Sequence, residues 1–181
     1  MRIALVVGHD RIRQGARSSA GVKEFSFWHT FLHTHIADIA GTGHTFAIFT
    51  RSSSLTKGYT AKMKQLHKEI DEWNADLAIE LHFNSSNNRN INGWEVLSSG
   101  SYLSMRYARI VSFYANLPCR GVKVIGKHGR GGGFLHYGKA PAIILEPFFG
   151  SSSSIDYTLL KKDIVAFLRN IQRDNAAVNK I

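Results

Sequence analysis

Apolar and polar positions fall in blocks along the chain, and the blocks predict alternating strands and helices. Ile3 to Val7 is an unbroken apolar run, as expected of a strand covered on both faces. Residues 10–23 are polar and rich in Gly, Arg and Ser, and predict a loop. From Ser26 to about Ala40, Phe27, Phe31, Leu32, His35, Ile36 and Ile39 recur at helical spacing, and Gly41 and Gly43 stop that helix. Thr45 to Thr50 predicts a strand, and Met63, Leu66, Ile70 and Trp73 mark a helix with charges on its other face. Leu77 to Leu81 predicts the next strand, followed by a loop dense in Asn and Ser from Asn84 to Asn92. A short strand from Trp94 to Leu97 precedes a helix with the stripe Leu103, Tyr107, Ile110, Val111 and Tyr114, which Pro118 closes. Val122 to Ile125 and Ala142 to Leu145 predict the last strands, separated by the glycine-rich stretch Gly129 to Gly133. The final helix runs from about Tyr157 to Arg173 behind the Ser151 to Ser154 run, an expected N-cap region.

This order predicts an α/β protein in three layers, helices on both faces of a central, mostly parallel twisted sheet. The chain has 181 residues, enough for one hydrophobic core, and with no repeat or linker visible residues 1–181 read as a single domain. Lysine and arginine number 23 against 13 aspartate and glutamate, a net charge of +10 that favours association with anionic surfaces. The basic residues are spread along the chain, the longest cluster being Lys161-Lys162, so nucleic acid is not the expected partner. No apolar run approaches the roughly 20 residues of a membrane span, so stable membrane anchoring is not expected. The N-terminal apolar run is shorter than the roughly 7–15-residue core of a signal peptide, so synthesis in the cytoplasm without a visible export signal is expected. Cys119 is the sole cysteine and excludes an internal disulfide; after Pro118 it is expected to be a small, half-buried apolar residue.

In sheets of this kind functional residues gather just beyond the carboxyl ends of the strands. His9 directly follows the first strand, His82 ends the Leu77 to Leu81 segment, and Glu146 ends the Ala142 to Leu145 segment. Glu24 stands at the entry of the first helix, facing the same edge. Two imidazoles and a carboxylate make the ligand set of an open catalytic zinc site, and a further carboxylate can serve as general base. Taken singly, a strand-end histidine reads as a hydrogen-bonded polar group rather than a ligand. Glu146 is harder to dismiss, because an unpartnered charge after three branched apolar residues is costly. His29 and His33 share a helix face, but Thr30 stands where a helical zinc motif needs glutamate, so they read as a wet face, as do His35, His44 and His67. The segment Gly126 to Gly133 lacks the ending of a phosphate loop, and reads as a loop flanking a groove or a plain connection, with His128 within reach of a ligand.

The order of these residues resembles the zinc N-acetylmuramoyl-L-alanine amidases of the Amidase_3 type. The matching segments are Val6-Val7-Gly8-His9-Asp10, Lys23-Glu24-Phe25-Ser26, Phe49-Thr50-Arg51 and Ala75-Asp76-Leu77 through Leu81-His82-Phe83-Asn84. Further along they are Gly93-Trp94-Glu95-Val96, Arg120-Gly121-Val122-Lys123 and Pro141-Ala142 through Glu146-Pro147-Phe148-Phe149. The resemblance implies that His9, Glu24 and His82 bind Zn2+ and that Glu146 is the catalytic carboxylate. It implies cleavage of the amide between the N-acetylmuramoyl lactyl group and L-alanine in peptidoglycan. A monomer is expected. A phage endolysin, reaching the wall after release from the host cytoplasm, fits best. Val7 replaces the family's usual Pro, and Gly150-Ser151-Ser152 replaces its usual Asn, departures that touch substrate contacts. Two other readings are a zinc peptidase on stem peptides and a non-catalytic wall-binding protein. The 15-position gap between His9 and Glu24 speaks against the His-x-x-Glu segment of carboxypeptidase-like sites.

Overall fold

A computed structural model describes residues 1–116, 118–152 and 155–177, with side chains described as far as Ile171. Six strands form one sheet: β1 (Arg2–Val7), β2 (Thr45–Thr50), β3 (Leu77–Leu81), β4 (Trp94–Ser98), β5 (Cys119–Val124) and β6 (Ala142–Glu146). Five helices accompany them: α1 (Glu24–Ala40), α2 (Tyr59–Glu72), α3 (Tyr102–Tyr114), α4 (Gly132–Tyr137) and α5 (Tyr157–Ala177). The strand order is β2-β1-β3-β6-β4-β5. Strands β2, β1, β3 and β6 run parallel, whereas β4 is antiparallel to β6 and parallel to β5. The carboxyl ends of β1, β3 and β6 are therefore neighbours on one edge. The antiparallel pairing sets the start of β4 on that same edge, Glu95 opposite Glu146.

Alternation along each strand divides the interior into two cores. On one face α1, α3 and α5 bury Trp28, Leu32, Val111 and Phe167 against Leu5, Ile79, Val96 and Ile143. On the other, α2 and α4 bury Met63, Leu66 and Phe134 against Ala4, Val6, Ala78 and Ile144. The three-layer, mostly parallel expectation holds, and all described residues of β3, β4 and β6 are buried.

Several local expectations need correction. The Gly129 to Gly133 region is not all loop, because α4 begins at Gly132. Its glycines are poor helix formers but are required by contact. A Cβ on Gly132 would lie 2.5 Å from the Gly126 carbonyl oxygen, and one on Gly133 2.9 Å from the Tyr59 ring. Tight packing, of Gly132 on the Gly126–Lys127 backbone and of Gly133 on α2, overrides propensity there. The core stripe of α3 is Ser104, Tyr107, Ala108, Ile110 and Val111, while Leu103 is exposed, one position off the buried face. Cys119 is exposed, since β5 is the edge strand. His44 and His67 are buried rather than wet: His44 Nε2 lies 2.9 Å from the Leu168 carbonyl, and His67 packs on the Phe134 ring. Ser153 and Ser154 lie outside the described residues; the first turn of α5 is instead capped by Asp156, whose Oδ1 accepts the Leu159 N–H at 2.8 Å.

Candidate functional site

Gly8 carries β1 into the site, where a Cβ would meet the Leu81 carbonyl oxygen at 2.5 Å and the His82 ring at 2.6 Å. His9 follows in the left-handed region, with φ 67°, which turns its ring across the carboxyl end of β3. Glu24 opens α1 and is 2% exposed, its charge favoured by the positive end of that helix. Its two oxygens gather the neighbouring segments. Oε2 lies 3.0 Å from His9 Nε2 and accepts the Ala16 N–H at 3.1 Å. Oε1 lies 2.7 Å from His82 Nδ1 and accepts the Phe83 N–H at 3.0 Å. Burial alone would raise the Glu24 pKa, but the hydrogen bonds from His82 and His9 outweigh it and hold the carboxyl well below its ordinary range. The two imidazoles stand edge to face, centroids 4.8 Å apart.

His9, Glu24 and His82 thus converge from three distant segments, with one ligand atom of each lying within 4.8 Å of the others. Two imidazoles and a carboxylate suit zinc and leave coordination open for water. The surroundings fit such an ion. Gly15, at φ +76°, lies over the cluster, where a Cβ would approach His9 Nε2 at 2.5 Å and Glu24 Oε2 at 2.6 Å. Only a residue without a side chain leaves that space clear.

Glu146 comes from the end of β6 and is 3% exposed. Asn84 Nδ2 donates to its Oε2 at 2.9 Å and Arg130 Nη2 to its Oε1 at 3.3 Å. Burial raises its pKa; Arg130 and His82 oppose the rise, and the carboxylates of Glu95 and Glu24 add to it. A buried carboxyl group whose pKa is raised in this way is a stronger base than an ordinary carboxylate, which suits it to taking and returning a proton. Glu95 is itself compensated by Lys123 Nζ at 2.8 Å and Arg120 Nε at 3.6 Å. A cleft of about 290 Å³ holds His9, His82 and Glu146 along one wall system with Arg51, Tyr59 and Arg130, over an apolar patch of Leu97 and Ile144. A second opening continues past His9 to Asp10, Arg13 and Lys62.

All four residues singled out in the sequence are therefore brought to one edge. The glycine-rich loop also flanks the cleft, through Gly129, Arg130 and Gly131, while His128 is exposed and not among the lining residues. The charged partners around the four were missed. Glu80 is fully buried and ion-paired to Arg51, and Lys62 is 2.7 Å from Asp10 with both side chains 5% exposed. A signal for Glu80 did exist, since it is the one charge inside an otherwise apolar buried strand. Lys62 carried none, sitting on a helix face that reads as solvated.

The profile of the Amidase_3 family, N-acetylmuramoyl-L-alanine amidase, matches residues 3–170. Among curated proteins no sequence matches the chain. Solved structures do. The N-acetylmuramoyl-L-alanine amidase AmiC2 of Nostoc punctiforme superposes with a TM-score of 0.75 at 17% identity, over 97% of this chain and 97% of that one. The catalytic domain of an endolysin targeting Clostridia Difficile gives 0.74 at 24% identity, over 94% and 95%. The CwlD amidase from Clostridioides difficile, solved in complex with the GerS lipoprotein, gives 0.74 at 19%, over 97% and 98%. At such identities the structures establish a shared fold.

Proposed function

The chain belongs to the N-acetylmuramoyl-L-alanine amidase family, and from that premise we propose that it hydrolyses the lactyl–L-alanine amide of peptidoglycan with zinc held by His9, Glu24 and His82. The observation that carries this reading is the convergence of those three side chains at one end of a cleft that also contains Glu146. Zinc bound there supplies Lewis-acid polarisation of the scissile carbonyl and eases the loss of a proton from water. Glu146, above the usual carboxylate range and oriented by Asn84 and Arg130, takes that proton and returns it to the departing amine of L-alanine. Arg130 beside the cleft and Arg13 at the second opening, both exposed, suit the carboxylates of a stem peptide.

We further read the protein as a phage endolysin, monomeric and acting on the wall after release; the net charge of +10, which favours approach to anionic wall material, supports this role. No helix among the described residues is long and apolar enough to cross a membrane. The test is to incubate the protein with purified peptidoglycan and count new L-alanine amino termini against new reducing ends, before and after chelation and zinc return. L-alanine termini that disappear with the metal and return with it are expected. New termini on other residues would instead mean a peptidase, and no cleavage of any wall type by zinc-replete protein would leave a binding role.

A further inference from the structure

Glu80 is an expensive residue for its position. It is fully buried at the penultimate position of β3, against the inner wall of the cleft, in register with Val6 on one side and Ile144 on the other, on the face covered by α2 and α4. Its Oε1 takes both hydrogen bonds from Arg51, through Nε at 3.1 Å and through Nη2. A buried ion pair in such a place rarely stabilises a fold more than well-packed apolar residues would. Its second oxygen has no hydrogen-bond partner among the described residues, yet it lies 3.2 Å from His82 Nε2. His82 presents its other nitrogen, Nδ1, to Glu24. The neutral imidazole, the form that can ligate a metal, has two alternatives. With the proton on Nδ1 it donates to Glu24, and Nε2 faces the Arg51 donor at 3.5 Å. With the proton on Nε2 it donates to Glu80, and the Nδ1 lone pair is released toward the Glu24–His9 cluster.

Resting on the zinc reading above, we propose that Glu80, held by Arg51, is a positioning residue that selects the Nε2–H tautomer of His82 and so makes Nδ1 the nitrogen that binds the metal. A ligating histidine needs an acceptor for its other N–H, and that acceptor fixes both tautomer and ring orientation. Among the described residues, Glu80 is the carboxylate at His82 Nε2. Arg51 holds its first oxygen and thereby aims the second.

The experiment measures zinc affinity by competition with a chromophoric chelator, for wild type, Glu80→Gln and Arg51→Lys. Far-UV circular dichroism of each metal-free protein checks the fold. Glu80→Gln is expected to weaken zinc binding by about 10–100-fold, and Arg51→Lys, which keeps the charge but not the fork, by less. Long-range ¹⁵N–¹H spectra of histidine-labelled wild type loaded with zinc should show His82 protonated at Nε2, a readout that does not depend on either variant folding. The proposal is overturned if folded Glu80→Gln holds zinc within about threefold of wild type, a loss smaller than outer-partner mutations give. It is equally overturned if zinc-loaded wild type carries the His82 proton on Nδ1. Wild type that binds no zinc would overturn the metal reading itself, and the inference with it.

Discussion

Replacing Gly15 by alanine tests the metal reading through its most constrained contact. Gly15 has φ +76°, and its added Cβ would fall 2.4 Å from His9 Cδ2, which is 1.0 Å short of an ordinary 3.4 Å contact. The neighbours in the way are side-chain atoms of His9 and Glu24 rather than backbone, so the strain is relieved by moving those two groups and not by unfolding. Gly21 provides the control from the same loop: at φ +79° it pays the same backbone penalty, but a Cβ there meets only Arg17 Nη1 at 3.9 Å. Both variants should lose about 1–2 kcal/mol to the left-handed conformation, a fall of roughly 2–8 °C in Tm for a chain of this length. Ligand distances must hold to about 0.2 Å, and a misplacement near 1 Å can cost about 100-fold in rate. Gly15→Ala should therefore lose zinc affinity and wall-cleaving activity by about 100-fold, with Gly21→Ala near wild type in both. Chelator competition and release of L-alanine termini measure the two effects. Equal zinc affinity in the two variants would refute the reasoning, because it would mean that the His9–Glu24 geometry is not what holds the ion.

Four more outcomes rest on groups in and around the site. Glu146→Gln should keep its zinc but lose about 100-fold or more in turnover; in wild type, activity should fall with acid at a pH above 4.5, since burial raises the pKa of Glu146 and its ionised form is the base. A variant that turns over normally would remove Glu146 from the mechanism. Lys62→Met leaves Asp10 buried with only the Ile12 and Arg13 N–H groups, and should cost about 3 kcal/mol in urea denaturation; a loss below about 1 kcal/mol would mean that the pair contributes little. For metal-free protein, burial opposes protonation of His82, but Glu80 and Glu24 outweigh it and raise its pKa from 6.5 to about 9. That contribution is full below pH 6.5 and is lost as pH rises through 9, so the urea midpoint should drop between pH 6 and 9.5, and a midpoint that stays level or rises would contradict it.

The buried strands were legible in the sequence, because runs such as Ala142 to Leu145 are apolar on both faces and belong at the centre of a covered sheet, whereas edge strand β5, expected at Val122 to Ile125, is found at Cys119–Val124. The sequence also pointed to four residues that the fold gathers at one edge of the sheet. A polar residue that ends a buried strand must emerge at the sheet edge, and His9, His82 and Glu146 each do so. Glu24 was legible by its place at the start of a helix. The pairing of charges and the burial of polar helix faces come instead from the packing of distant segments. Lys62 read as solvated until Asp10, 52 positions away, was set against it. Arg51 and Glu80 lie 29 positions apart, and their ion pair arises because β1 and β3 are neighbours, with β2 flanking β1. His67 reads as a wet residue on α2 until α4 packs across it. Alternation and periodicity report what one element does with its own faces, whereas a buried charge is stable only beside a partner that the fold, not the neighbouring sequence, supplies.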